Sequence, residues 1–299
     1  MKIIIGVLAA LCSLIAVSSS AQNARSFVAT TGNDANTCTR GNECRTFTRA
    51  LAVTNTGGEV VAIDSGGFSP FNASRAVTII GAPGVVAAIN GTVTLNATSA
   101  DRMVIRNLTI NTTFPSANSV FASNFSDLII ENCKLYGSLQ IAGVGTSATV
   151  SDTTIIGSGS SNANIDVIGV PAKIVHCRTE KGQYGVYVLN TSATLIDVVV
   201  SDNSQAGYLF ESTTADTNVT MDHCSSTRDG LGIRSGGFAS GATHVNIRLN
   251  NCNINESQQY GIAIGNDTTV YSMGNNMISV AAGAFGDVFG GTITPATKY

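Results

Sequence analysis

The sequence predicts an all-β fold, a single-stranded right-handed parallel β-helix, and three observations support this prediction. An eight-residue unit recurs along the chain at spacings between 20 and 28 residues. The third residue of the unit is apolar in every copy, and the fifth is always Asn, Asp or His. A constant unit with connections of variable length is typical of a solenoid, in which strands stack from coil to coil while loops tolerate insertions.

The fifth residue of the unit marks a sharp corner in each predicted coil. The copies are MVIRNLTI, LIIENCKL, ATVSDTTI, AKIVHCRT, ATLIDVVV, VTMDHCSS, IRLNNCNI and YSMGNNMI. Their fifth positions hold Asn107, Asn132, Asp152, His176, Asp197, His223, Asn251 and Asn275. These are the non-glycine residue types most enriched at positive φ, so one left-handed residue is expected to turn the chain there.

Two further patterns assign the strands on either side of that corner. The third position holds Ile105, Ile130, Val150, Ile174, Leu195, Met221, Leu249 and Met273, and its alternation predicts a strand with one buried face. A later strand of the coil opens with glycine, at Gly185, Gly207, Gly232 and Gly261. We therefore expect three short strands per coil, wound with the right-handed preference of parallel crossovers.

The segment before the coils is expected to form an N-terminal amphipathic capping helix. Phe47, Ala50, Leu51 and Thr54 fall on one face of a helical pattern that Gly57 and Gly58 end. Such a helix would cover the strand edges and core at the open end of the solenoid. The predicted divisions are a signal peptide (1–21), an N-terminal cap (22–58), the β-helix (59–280) and a C-terminal cap and tail (281–299).

Composition and the first residues predict an exported protein with one domain. Charged residues make up 12% of the chain, the formal net charge is -3, and no basic footprint for nucleic acid is present. A short apolar run, residues 3–17, precedes small residues suited to cleavage after Ala21. We expect a secreted, periplasmic or cell-surface monomer without a membrane segment once the signal is removed; an uncleaved anchor is the alternative.

The cysteines of the mature chain fall into two groups. Cys38 and Cys44 lie close together in a polar loop, where an exported protein is expected to form a disulfide. Cys133, Cys177, Cys224 and Cys252 all occupy the sixth position of the repeat, just after the corner. Because other coils place Leu108, Thr153 or Val198 there, these four are expected to be buried, reduced thiols. The alternative is a bridge between Cys224 and Cys252 of neighbouring coils, which their parallel side-chain vectors disfavour.

The repeat resembles the parallel β-helix proteins of the pectin lyase-like superfamily, whose corner Asn residues stack into a ladder. The opening FVATTGNDANTC, followed by CRTFTRAL and GGEVVAID, is similar to the N-terminal segment of many secreted bacterial β-helix proteins. The resemblance implies that an active member would use carboxylates that hold calcium with an Arg or Lys base, or paired aspartates. The sequence contains no adjacent aspartates, no Gly-His-Gly and no Arg-Ile-Lys.

Candidate binding residues come from counting along the glycine-led strands. Two places before the glycines stand Gln183, Gln205, Gly230 and Gln259, and two places after them Tyr187, Leu209, Arg234 and Ala263, with Asp166 and Gln140 in earlier coils. From these columns we predict a ligand surface that includes Gln183, Gln205, Tyr187 and Arg234. Five places before the glycines stand Glu180, Asp202, Thr227 and Glu256, and Glu180 and Asp202 are predicted to share calcium.

Three functional hypotheses follow. The first is a secreted, non-catalytic β-helix that binds carbohydrate or another extracellular polymer, because the fold pattern is clear and no catalytic set accompanies it. The second is a polysaccharide lyase or glycosidase with divergent residues, and the third is a surface structural or adhesion protein. Arg228 and Asp229 are interpreted as a solvated turn, and His244 as a surface histidine.

Overall fold

The computed structural model describes residues 22–112, 118–158, 163–237 and 243–296. The predicted signal peptide, residues 1–21, and the last three residues of the predicted tail lie outside the described residues. Within the described part of the chain, no helix is both long enough and apolar enough to cross a membrane.

The described chain contains one α-helix and a long series of short strands. The N-terminal elements are β1 (Asn23–Val28) and α1 (Phe47–Val53). The first five coils contain β2 (Thr54–Ala62), β3 (Gly66–Phe68), β4 (Asn72–Ala73), β5 (Val77–Gly81), β6 (Ala87–Asn90), β7 (Val93–Asn96), β8 (Arg102–Arg106), β9 (Leu108–Asn111), β10 (Asn118–Ser123), β11 (Phe125–Glu131), β12 (Lys134–Tyr136), β13 (Ser138–Ala142), β14 (Gly145–Ser151), β15 (Thr154–Ile156) and β16 (Ala163–Ile168). The remaining coils contain β17 (Ala172–Val175), β18 (Arg178–Glu180), β19 (Tyr184–Leu189), β20 (Ser192–Ile196), β21 (Val199–Ser201), β22 (Ala206–Ser212), β23 (Thr217–Asp222), β24 (Ser225–Thr227), β25 (Leu231–Gly237), β26 (Val245–Asn250), β27 (Asn253–Ser257), β28 (Tyr260–Ile264), β29 (Thr268–Ser272), β30 (Met277–Val280), β31 (Gly286–Phe289) and β32 (Ile293–Pro295).

These strands form three parallel sheets that run the length of a β-solenoid. The first sheet has the order β1-β2-β5-β8-β11-β14-β17-β20-β23-β26-β29-β32. The second has the order β3-β6-β9-β12-β15-β18-β21-β24-β27-β30, and the third β4-β7-β10-β13-β16-β19-β22-β25-β28-β31. Each coil therefore contributes one strand to each sheet, which confirms the predicted three strands per coil and the all-β solenoid fold.

The corner between the first and second sheets is formed by the predicted Asn, Asp and His residues. Seven of them have φ between 49° and 53°: Asn107, Asn132, Asp152, His176, Asp197, His223 and Asn251. The prediction for the eighth copy is wrong by one residue, because Leu249 pairs with Ser272 rather than with Met273. The left-handed residue of that coil is consequently Gly274, with φ 81°, which has no Cβ to oppose the turn.

The core is a narrow column of aliphatic side chains between the three sheets. The third-position residues from Ile105 to Leu249 have no solvent exposure, as the alternating pattern predicts. The glycines of the third sheet face inward where there is no room for a side chain. A Cβ at Gly207 would lie 2.6 Å from Asp229 Oδ2, and one at Gly185 would lie 2.5 Å from the Gly207 carbonyl oxygen.

The N-terminal end of the solenoid is covered by α1, as the sequence predicts, although α1 ends at Val53 and Thr54 already belongs to β2. Phe47 and Ala50 are fully buried, and the Thr46 hydroxyl caps the helix by accepting a hydrogen bond from the Arg49 N–H at 3.1 Å. The Phe47 ring packs against Phe68 and Phe71, with centroid distances of 5.3 and 4.9 Å. A disulfide joins Cys38 and Cys44.

The four cysteines of the repeat are free and buried. Each thiol lies near the carbonyl oxygen two residues before it, for example Cys133 Sγ 3.3 Å from the Glu131 oxygen. Burial raises the pKa of Cys133 to about 12 and that of Cys177 to about 11. Since the thiolate is the reactive form, the raised pKa values of Cys133 and Cys177 favour a structural role for these two thiols in the core.

Candidate functional site

The outer face of the third sheet carries a continuous column of side chains, one from each coil. Direct pairing of neighbouring strands aligns its members, which we call the third-sheet column: Gln140, Asp166, Tyr187, Leu209, Arg234 and Ala263. All six point outward because they alternate with buried residues of the core. The register places together the six residues that the sequence assigns to one column.

The N-terminal half of the column is a chain of hydrogen bonds that ends on a carboxylate. Asn118 Nδ2 donates to Gln140 Oε1 at 3.0 Å, and Gln140 Nε2 donates to Asp166 Oδ2 at 2.9 Å. The other oxygen, Asp166 Oδ1, is buried and has no hydrogen-bond partner among the described residues. Burial raises the pKa of Asp166 to about 6, because the Gln140 hydrogen bond offsets only part of the desolvation of the charged form.

The central part of the column combines an aromatic pair with a second carboxylate. The Tyr187 hydroxyl donates to Glu211 Oε2 at 2.9 Å, and the Tyr184 and Tyr187 rings lie 6.4 Å apart. Glu211 is 9% exposed, and burial raises its pKa although the Tyr187 hydrogen bond and the Arg234 charge act in the opposite direction. Burial and the neighbouring Glu211 raise the pKa of Tyr187. Tyr187 is therefore a neutral hydrogen-bond donor.

Arg234 supplies the positive charge of this face. It lies in β25, directly opposite Leu209 of β22, and its charge lowers the pKa of both Glu211 and Tyr184, against the larger effect of burial. Leu209 is only 4% exposed although it points outward. Along the column, the Asp166 carboxyl is therefore followed by the covered apolar side chain of Leu209 and then by the Arg234 cation.

The two predicted glutamines lie beside the start of this column. The Gln205 N–H donates to the Gln183 carbonyl oxygen at 3.0 Å, so these residues occupy equivalent places in neighbouring coils. The Tyr184 hydroxyl donates a short hydrogen bond to Gln205 Oε1. The four residues predicted to bind a ligand, Gln183, Gln205, Tyr187 and Arg234, therefore lie on one face of the solenoid.

Glu180 and Asp202, the predicted calcium pair, do not lie opposite each other. Glu180 pairs with Ser201, which shifts the expected alignment by one residue. Gly185 follows Lys181 by four positions whereas Gly207 follows Asp202 by five, so counting back from the glycines does not reach equivalent residues. Both oxygens of Asp202 instead accept hydrogen bonds from Arg228, at 2.8 and 2.9 Å, and these bonds lower the pKa of Asp202.

The corner between the second and third sheets, which we call the second corner, also uses left-handed residues, and their charges alternate from coil to coil. They are Lys181, Asp202, Arg228 and Glu256, with φ between 50° and 62°. Arg228 bridges the two acids, since its guanidinium also lies 3.9 Å from Glu256. Within the described ranges, no group of three or more His, Cys, Asp or Glu side chains is placed to hold a metal ion.

The other polar residues considered from the sequence have charged or hydrogen-bonding neighbours within the protein. Asp229, interpreted as part of a solvated turn, is in fact fully buried and accepts hydrogen bonds from the Asn203 N–H, Asn203 Nδ2 and the Ser226 hydroxyl. His176 lies at the first corner between Asp152 and Asp197, at 3.5 and 3.3 Å, with its side chain exposed. His244 is exposed, 3.8 Å from Asp216.

An open groove lies at a different part of the molecule, along the first corner near the N-terminal end. It encloses about 590 Å³ and is lined by Ile80, Gly81, Pro83, Gly84, Arg106, Asn107, Glu131 and Asn132. Asn107 Nδ2 already donates to the Gly81 and Ala82 carbonyl oxygens, and Arg106 pairs with Glu131. These polar groups are paired with one another, and none of the residues predicted to bind a ligand lines the groove.

Glu211, Tyr184 and Asn118 belong to the site but were not among the candidates from the sequence. Glu211 follows Leu209 by two residues, so the alternation of the strand was an available signal that it points outward. Tyr184 immediately precedes Gly185, so its closeness to the counted positions was an available signal. Asn118 is the first residue of β10, a strand without the glycine signal. Their contacts depend on which coils are adjacent, and a single strand does not contain that information.

Comparisons with known proteins give two solved structures of low similarity to this chain. No family model matches the chain, and no match was found among curated proteins. One similar solved structure is the crystal structure of pectate lyase Pel9A, with 13% identity over 92% of this chain and 78% of that chain and a TM-score of 0.49. Another is a rhamnogalacturonan lyase, with 12% identity over 83% of this chain and 75% of that chain and a TM-score of 0.37.

Proposed function

We propose that this protein binds an extended carbohydrate polymer along the third-sheet column. The observation that carries the proposal is the in-register alignment of amide, carboxylate, aromatic and guanidinium groups from Gln140 to Arg234 on one face. Sugar hydroxyls need both donors and acceptors, and the column supplies both at the spacing of successive strands, about 4.8 Å. Its straight course suits a linear polymer better than a compact ligand.

The proposal includes export of the chain. The expected signal peptide and the disulfide between Cys38 and Cys44 both favour an oxidising compartment outside the cytoplasm, where polysaccharides are the abundant extended polymers. Binding alone is preferred over catalysis because the sequence contains none of the catalytic motifs that mark active members of the superfamily it resembles. The protein would then act by holding onto a polymer.

Titration calorimetry with polygalacturonate, alginate, chitosan and a soluble β-glucan tests this function. At least one polymer should bind, and Tyr187→Ala combined with Arg234→Ala should weaken that binding by about tenfold or more. The matched control is Tyr271→Ala with Arg248→Ala, since this pair lies outward on the first sheet with the Arg248 guanidinium 5.7 Å from the Tyr271 ring centroid. Equal losses in both double variants, or no binding of any polymer, would contradict the proposal.

A second candidate function is cleavage of the bound polymer, and one observation favours it. Asp166 has a pKa of about 6 and lies directly beside Tyr187 in the column, so it can exchange a proton near neutral pH. Incubation of the same polymers with the protein, followed by assays for new reducing ends and for unsaturated products, distinguishes the two functions. Cleavage that Asp166→Asn abolishes would establish catalysis; intact polymers would leave binding alone.

A further inference from the structure

The third sheet carries a second group of aromatic side chains at its C-terminal end. Tyr260 of β28 stacks on Phe289 of β31, with centroids 4.8 Å apart and 25° between the planes. Phe285 lies 5.5 Å from the Tyr260 ring at an interplanar angle of 35°. These three residues form what we call the aromatic patch, in which Phe285 is 74% and Phe289 is 55% exposed. Exposed apolar rings grouped in this way typically mark a binding surface.

The aromatic patch continues the third-sheet column. Phe289 pairs with Ala263, and Ala263 pairs with Arg234, so Phe289 occupies the next position along the same line of residues. Ala263 projects little between Arg234 and the rings, which leaves the path along the face open. Tyr187 and Phe289 are separated by four strand steps, or about 19 Å.

We propose that the aromatic patch is a second sugar subsite, which stacks against a pyranose ring of the same polymer that the third-sheet column binds. The proposal rests on the proposed function and adds the place and the chemistry of a second contact. Pyranose rings present C–H groups on their faces, and exposed Tyr and Phe rings offer flat apolar surfaces for them. The alignment of the two subsites favours this occupant over one that contacts the rings alone.

A two-subsite surface predicts that affinity depends on chain length. If one sugar ring spans roughly one strand spacing, about 5 Å, a chain of about five rings is needed to place one ring at Tyr187 and another at Phe289. A longer chain contacts both subsites, and its second contact is intramolecular once the first has formed. Fragments of about six rings should therefore bind at least about tenfold more tightly than fragments of about three rings.

The absence of tryptophan from the sequence allows a direct test. Phe285→Trp places a single tryptophan in the aromatic patch, and Tyr271→Trp places one on the outer face of the first sheet as a control. Each variant is titrated with polygalacturonate, alginate, chitosan and β-glucan, and with size-graded fragments of each polymer. The polymer that binds the wild type should shift the emission of the Phe285→Trp variant to the blue with the expected length dependence, and it should leave the emission of the control variant unchanged.

A loss-of-contact variant separates this inference from the proposed function. Phe285→Ala with Phe289→Ala should reduce the advantage of long over short fragments to less than about twofold while binding of short fragments is retained. If the wild type binds a polymer but this double variant has unchanged length dependence, the second subsite is refuted and the proposed function stands. If no polymer binds the wild type, both fail.

The same reporter identifies a different occupant of the rings. The emission of the Phe285→Trp variant could shift to the blue with rising protein concentration in the absence of sugar. Together with a dimer in analytical ultracentrifugation, that shift would show that a second copy of the chain covers the patch, and it would overturn the sugar subsite. A monomer whose emission changes only with added polymer would support the subsite.

Discussion

At the residue scale, this protein depends on side chains that tolerate unusual environments. The first corner uses Asn, Asp and His in the left-handed conformation, in which most other side chains are strained by roughly 1–2 kcal/mol. The core places thiols after four of those corners, where a small apolar group fits. The third-sheet column holds Asp166 with one oxygen lacking a partner among the described residues. The burial of the Asp166 carboxyl has a measurable consequence for the free energy of unfolding.

Asp166→Asn should change the pH dependence of folding. The folded pKa of about 6 exceeds the ordinary value of 3.8, so the folded protein keeps a proton that the unfolded chain loses between these values. Stability contributed by this site therefore falls as pH rises from about 4 to about 6, by up to about 3 kcal/mol. The variant lacks this ionisation, and its stability should gain on that of the wild type over the same range.

Urea unfolding near pH 4 and near pH 7 measures the effect. The exposed Asp287→Asn in β31 serves as the control, because it removes the same kind of carboxylate without the burial. If Asp166→Asn and Asp287→Asn alter the pH dependence equally, the carboxylate of Asp166 is not desolvated as described.

At the element scale, each strand is short, and its place is determined by the strand before it in the same sheet. The three strands of a coil are too short to be stable alone, so hydrogen bonds to neighbouring coils and the shared core hold them. The strands of the third sheet contain inward-facing glycines, which leave room for buried side chains of neighbouring strands and turns. At Gly207, the space is occupied by the buried side chains of Ser226 and Asp229.

Gly207→Ala should destabilise the protein by about 1–3 kcal/mol, because the added methyl group would overlap Asp229 Oδ2 and Ser226 Oγ, both 2.6 Å from the ideal Cβ. Gly236→Ala in β25 is the matched control, since the nearest atom to its Cβ lies 3.9 Å away. Thermal or urea unfolding of both variants provides the comparison. A loss at Gly236 as large as that at Gly207 would show that strand flexibility, rather than overpacking, limits these positions.

At the scale of the whole molecule, the two described ends of the solenoid differ. The N-terminal coil is covered by α1 and secured by the disulfide between Cys38 and Cys44. The C-terminal coil keeps Met277, Phe285 and Phe289 more than half exposed. Since each coil contacts only its neighbours, the loss of the N-terminal cap should be transmitted to the stack through the first coils.

Phe47→Ala should cost about 3–5 kcal/mol of folding stability, because it removes a fully buried ring that packs on Phe68 and Phe71. The same substitution at Phe285, which is exposed, should change stability by less than about 0.5 kcal/mol. Denaturant unfolding followed by circular dichroism compares the two variants. Similar small losses for both would mean that α1 is not part of the cooperative fold.

The sequence by itself determined the features that repeat within one coil. Alternation and the Asn, Asp or His corner predicted the strands and seven left-handed residues, because these depend on local backbone preferences. The same counting predicted the members of the third-sheet column from Gln140 to Ala263, since outward positions recur at a fixed distance from the glycine. The buried face of the capping helix and the disulfide were also predictable from local spacing.

The tertiary structure decided the contacts between coils. A turn that is one residue longer after Asp202 than after Lys181 separates Glu180 from Asp202 and places Arg228 on Asp202 instead. A shift of one residue in the strand pairing likewise makes Gly274, rather than Asn275, the left-handed residue of the last corner. Asp166 lies between Gln140 and Tyr187 of the adjacent coils, and two rings of the aromatic patch, Phe285 and Phe289, come from a segment without the repeat. Loop length and neighbour packing are properties of the stacked coils, and for that physical reason no single strand predicts them.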